Sequence, residues 1–123
     1  MANPNIVAVV SIFGKSTTLA LTTASALILF NTASSGKVLK VNTIIASNID
    51  GTNDGAVTIA FNGNAGGTGT STELASTITV PADATLVVLD KNSSFYLEED
   101  RSIVGNANAN STIEVLVSYE DIS

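Results

Sequence analysis

The sequence predicts an all-β protein. It reads as a single-domain antiparallel β-sandwich, jelly-roll or immunoglobulin-like, of about eight to ten strands. Three observations carry this. Short runs rich in Val, Ile and Thr alternate apolar with polar residues along most of the 123-residue chain. Turn residues separate these runs about every 8–12 positions. No window places apolar residues at i, i+3, i+4 and i+7 behind a capping box, so helix signals are missing.

Residues 1–14 read as an N-terminal arm or edge strand, and 15–123 as the sandwich domain. Gly14-Lys15 reads as a turn, after which "STTLALTT" and "SALILF" are strands without charge. "KVLKVNTIIASNI" is the longest strand. Its Lys37, Lys40 and Asn42 keep no single period, which predicts a bulge or a change of exposure inside it. Val57, Ile59 and Phe61 alternate with Thr58 and Ala60. "NGNAGGTGTST" at 62–72 reads as a flexible loop. Leu74, Ile78 and Val80 share one face of the next strand, opposite Thr77 and Thr79. "TLVVLDK" and "SFYLEE" follow, joined near Lys91-Asn92-Ser93. Ile113, Val115, Val117 and Tyr119 alternate with Thr112, Glu114, Leu116 and Ser118, the clearest strand of all. Turn signals fall at Ser34-Ser35-Gly36, Asp50-Gly51, Asp54-Gly55, Val80-Pro81-Ala82-Asp83 and Gly105-Asn106.

Composition removes whole classes of chemistry. The chain has no cysteine and no histidine. Thiol nucleophiles, disulfides, thiolate or imidazole metal sites and histidine acid–base catalysis are therefore excluded. Charged residues are 13% of the chain, against a usual share of about 25%. Ser, Thr and Asn together number forty-one, so the polar surface is hydroxyl and amide. The net charge is −6, with Lys15, Lys37, Lys40, Lys91 and Arg101 the only cations. That balance argues against a nucleic-acid partner. "IVAVV" and "ALILF" are the longest apolar runs, far short of the ~20 residues of a spanning helix. The late Lys15 and the interruption "TTAS" argue against a secretory signal.

Four stretches invite a functional reading, and each has a plainer one. "FGKSTT" contains the Gly-Lys-Ser of a phosphate-binding loop. The glycine required five positions earlier is Val9, and the residues between are stiff and extended by preference. Asp50-Gly51-Thr52-Asn53-Asp54-Gly55 resembles the start of a calcium loop. Thr52 is a poor ligand there, and Phe61 stands where a bidentate Glu is needed. Paired turns of a hairpin connection explain the Asp and Asn residues. Glu98-Glu99-Asp100-Arg101 gathers carboxylates, but consecutive ones point apart, so a solvated turn with a local Arg partner is expected. Tyr96 faces away from Phe95 and Leu97 and is a candidate aromatic platform or interface residue. No catalytic, cofactor-binding or metal-binding residue is assigned, and no cofactor is expected.

The segments "GKVLKVNTIIASNIDGTNDGAVTI", "STITVPADATLVVLDKNSSFYLEEDRSI" and "EVLVSYEDIS", with the opening "MANPNIVAVVSIFGKS", resemble a family of small virion structural proteins of tailed phages of marine cyanobacteria. The resemblance implies a non-enzymatic particle component with a β-sandwich fold. It brings no functional residues with it. The expected role is a capsid decoration, or cement, protein on the outer head shell, contacting the major capsid protein or another virion protein. The alternatives are a tail, collar or fibre component, and a glycan-binding adsorption module. The uncharged strands also predict a homo-oligomer; analogy with decoration proteins favours a trimer, and the resemblance implies location in the virion.

Overall fold

The computed structural model describes residues 3–123. Nine strands run in chain order: β1 (Ile12–Ala20), β2 (Ala26–Asn31), β3 (Val38–Asn48), β4 (Gly55–Asn62), β5 (Ser71–Val80), β6 (Thr85–Leu89), β7 (Phe95–Leu97), β8 (Arg101–Ala107) and β9 (Ile113–Ile122). A single 3₁₀ turn, Lys91–Ser93, joins β6 to β7, and Asp90 caps it by accepting the Asn92 N–H. The strands form two antiparallel sheets. Sheet A has the order β1-β9-β3-β6, with β7 also on β3, and sheet B has the order β2-β8-β4-β5.

β6 pairs with Ile44–Ser47 and β7 with Leu39–Val41, while β9 takes the other edge of β3. Strands β6 and β7 thus occupy one interrupted position. Eight positions then remain, and consecutive strands cross between the sheets at almost every connection. This is the double-sheet jelly roll rather than the immunoglobulin order.

Period-2 alternation explains the core. Ile113, Val115 and Val117 point inward from β9 and meet Leu39, Val41, Ile44 and Ala46 of β3. Sheet B contributes Ile28, Leu29, Val57, Ile59, Ile103 and Ala107. The expected bulge in β3 falls at Asn42, where the register with β9 shifts between Val41 and Thr43.

Several local expectations are corrected. Gly14-Lys15 is no turn: it lies within β1, opposite Glu120 and Tyr119 of β9. The expected arm boundary at residue 14 therefore falls inside β1, and Met1 and Ala2 of that arm lie outside the described residues. Gly105-Asn106 is no turn either, but lies inside β8. A Cβ on Gly105 would come within 2.8 Å of Ile28 Cδ1 and 3.2 Å of the Thr58 carbonyl oxygen. The glycine marks a close approach, not a bend. In β5, Ala75 and Val80 are buried, whereas Leu74 and Ile78 are about 40% exposed. Two register shifts against β4, with Thr77 at φ 50°, reset the alternation that placed them inward. The 50–55 segment is not a hairpin connection. It links β3 of sheet A to β4 of sheet B.

Candidate functional site

The stretches that invited a chemical reading are tied up in structure. Lys15 projects from the middle of an extended strand, with no glycine cradle and no helix after it. Asp50 Oδ1 accepts the backbone N–H groups of Thr52 (2.8 Å) and Asn53 (3.2 Å), and Oδ2 accepts the Asn53 amide. These bonds, Thr52 first, hold its carboxyl below the usual range. Asp54 instead accepts the Ala82 N–H. Among the described residues no group of three or more Asp or Glu is placed to hold a metal ion.

The acidic run 98–101 is a turn whose members diverge. Glu99 accepts the Gly36 N–H at 2.8 Å, and Asp100 accepts the Ala65 N–H at 3.0 Å. The expected carboxylate partner of Arg101 is replaced by two carbonyls, those of Asp100 and Gly63. Tyr96 is 44% exposed on β7, opposite Lys40. Among the described residues no helix is long and apolar enough to cross a membrane.

What the structure does build is a cover on the outside of each sheet. On sheet A, Val38 and Ile122 are register partners on the outer face, yet both are buried and stand outside the main core cluster. The N-terminal segment accounts for this. Asn3, Pro4 and Ile6 line a recess of about 220 Å³ together with Val38, Tyr96 and Glu98. Asn3 Oδ1 accepts the Glu99 N–H at 3.3 Å. Farther on, the N–H groups of Val10 and Ser11 both donate to the Ser123 carbonyl. The residues between are open: Val7 is 91% and Val10 95% exposed.

On sheet B the glycine-rich loop folds back over β8. Gly67, at φ +76°, lies so close that a Cβ would meet Val104 Cγ1 at 3.0 Å and Leu27 Cδ2 at 3.2 Å. The loop is bonded throughout. Buried Asn62 accepts the N–H groups of Asn64 and Gly69 and donates to the Gly69 carbonyl and Ser71 Oγ. Asn64 binds Thr68 through both ends of its amide. Ser102 Oγ donates to the Asn64 carbonyl at 2.7 Å. The expectation of a flexible connection took glycine content as its guide, and the asparagines outweigh it.

Strand β1 is the free edge of sheet A and is exposed over most of its length, with Phe13 at 58%. Beside its ladder with β9 it is tied by Asp121, a buried carboxylate that accepts Lys15 Nζ at 2.9 Å and also Lys37 Nζ at 3.2 Å. Burial pushes the Asp121 carboxyl up, and the two ammonium groups outweigh it, leaving it below the usual carboxylate range. The hydrogen bond to Asp121 in turn raises Lys15. Sequence reasoning passed over Asp121, although a signal was there. The alternation Ile113, Val115, Val117, Tyr119 carries the inward face to position 121 and puts a carboxylate on it. The same parity puts Ile122 outside, where an apolar residue asks for a cover.

Among the described residues no hydrogen bond joins a nucleophile to a carboxylate base placed to activate it. The arrangement offers strand edges that carry few charges and apolar side chains at the surface, which is the chemistry of contact with another chain.

The topology and this surface define the chain as a jelly-roll domain with a free edge strand and an exposed N-terminal segment. No family model matches the chain, and no curated protein matches it. Among solved structures it is similar to one described as "Bacillus endospore appendages form a novel family of disulfide-linked pili". The identity is 18% and the TM-score 0.50, over 89% of this chain and 85% of that one. At that identity the likeness concerns the fold.

Proposed function

We propose that this chain is a non-enzymatic structural subunit that works in many copies, as a phage virion protein decorating the outer surface of the head shell. The observation that carries a contact role is the exposed, nearly uncharged β1 with the valine-rich segment before it. The resemblance to virion proteins in the segments 36–59, 76–103 and 114–123 supports the particle, and the net charge of −6 argues for its outside rather than for a lining against DNA. Jelly rolls serve in viral capsids and in lectins alike, so the fold is compatible without deciding. A second reading, a tail, collar or fibre component, gains from the likeness to a subunit of appendages that form pili. With no cysteine, this chain would have to hold any filament together without disulfides.

The test is the copy number of the chain in purified particles. A number that tracks the major capsid protein supports decoration. A number that tracks a tail ring or fibre moves the role to the tail, and absence from particles overturns both. Binding to a glycan array that disappears on Tyr96→Ala would replace them with adsorption.

A further inference from the structure

In residues 6–10, local preference and conformation disagree. Ile6-Val7-Ala8-Val9-Val10 combines four β-branched residues with one alanine and should favour a strand. It forms none. Asn5 folds it into a turn instead, its side chain accepting the Val7 N–H at 3.0 Å and its carbonyl the Ala8 N–H at 2.9 Å. The turn leaves Val7 and Val10 in water. Natural sequences are locally consistent with their folds, and conflicts of this kind concentrate where a segment has functional work elsewhere.

The place where the segment ends is a built seat. Pro4 and Ile6 share the recess with Val38 and Tyr96, and Asn3 meets the Glu99 N–H. Nothing in these contacts requires residues 3–6 to come from the same copy. The link between seat and fold is the turn at 5–8, and Ser11 runs directly into β1. If the turn opens, residues 5–11 extend by about 3.3 Å each, roughly 23 Å in all. That reach is enough to leave one copy and enter the next. There is no charge before Lys15 to oppose burial of this stretch between copies.

We propose that in the assembled protein residues 3–6 of one copy occupy the Val38–Tyr96 seat of a second copy, with residues 7–11 straightened into a forward continuation of β1 that joins the two. The partner is a second copy of this chain, because the seat already fits this sequence. Exchange of this kind needs no new contact chemistry, and it brings Val7 and Val10 from water into the junction. The inference rests on the proposed role in many copies.

The chain lacks cysteine, so Ile6→Cys with Tyr96→Cys marks the two sides of the seat alone. Assembled material, isolated by sedimentation, is treated with a short bis-maleimide and run on a denaturing gel. Exchange predicts dimers and a ladder above them as the main cross-linked species. Dilution until the assembly dissociates should shift the link to within one chain. Asn3→Cys with Glu98→Cys, at exposed positions, repeats the test without disturbing the apolar packing. Links found only within single chains in assembled material overturn the exchange and leave the structural role standing. A chain that stays monomeric at every concentration, with internal links only, overturns the exchange as well. Copy number in particles judges the proposed role separately.

Discussion

The two covers differ in how they are held. The glycine loop on sheet B is tied by amide side chains that bond its backbone from within and by Ser102 beneath it. The N-terminal segment on sheet A rests on two apolar side chains, one bond to Glu99 and, only where it enters β1, the bonds of Val10 and Ser11 with Ser123.

 The loop contains four glycines, at positions 63, 66, 67 and 69. A stretch so rich in glycine would be mobile by composition. The segment has none and is stiff by composition. Order here follows from the bonding of the backbone rather than from the flexibility of the residues.

Four measurements break or sharpen this contrast, taken from the largest effect to the smallest. Asn62→Ala removes four hydrogen bonds from a buried site and should cost about 3 kcal/mol, read as a fall in the urea midpoint at unchanged slope. An effect as small as that of a surface substitution would mean the loop is not held as described. Gly67→Ala should cost about 2 kcal/mol, because the residue combines a positive φ with contacts to Val104 and Leu27. Thermal unfolding of the variant checks this.

Asp121→Asn tests the root of the N-terminal segment. Its lysine partners are half-exposed, so screening limits the loss to about 1 kcal/mol. The sign with pH follows from the lowered folded value. The contribution is fully present above the unfolded carboxylate range and is lost as pH falls through the folded value. Wild type should therefore lose its advantage over Asp121→Asn on acidification below the ordinary carboxylate range, and a constant difference down to strongly acidic pH would contradict the ion-pair account. Last, Val7→Ser with Val10→Ser should change the stability of the unassembled chain by less than about 0.5 kcal/mol, since both residues are in water. A larger loss by denaturant titration would show that the segment is held in its own chain more firmly than the loop comparison implies.

The legible part of this fold was the part governed by short-range alternation. β9 could be read from Ile113 to Tyr119, and the bulge in β3 from the broken period around Lys40 and Asn42, because side-chain direction is fixed by the pleat. Glycine was the weak guide. Gly14 and Gly105 sit in strands, since a glycine that admits a close neighbour and a glycine that turns the chain look the same in sequence. Leu74 and Ile78 failed for a related reason, as bulges depend on the partner strand. The jelly-roll order rests on pairings such as Ile12 with Ile122, which no local pattern encodes. Of the surface now of interest, the uncharged second half of β1 was visible in "STTLALTT". The seat at Val38 was not, because a residue there is recognised as covered only once Pro4 and Ile6 are seen beside it.

The position of β9 has a consequence for synthesis. This strand is the last in chain order, yet it lies in the interior of sheet A, between β1 and β3. Until residues 113–122 leave the ribosome, β1 has no partner and the growing chain carries two separated halves of a sheet. Contacts so distant in sequence close late and slowly. A nascent chain stalled before Ile113 should stay sensitive to protease in β1, and release of residues 113–122 should bring that strand its protection. The front end of sheet A thus waits for residues 113–122, and β1, whose one charge is Lys15, meets its ladder partner and the Asp121 carboxylate together.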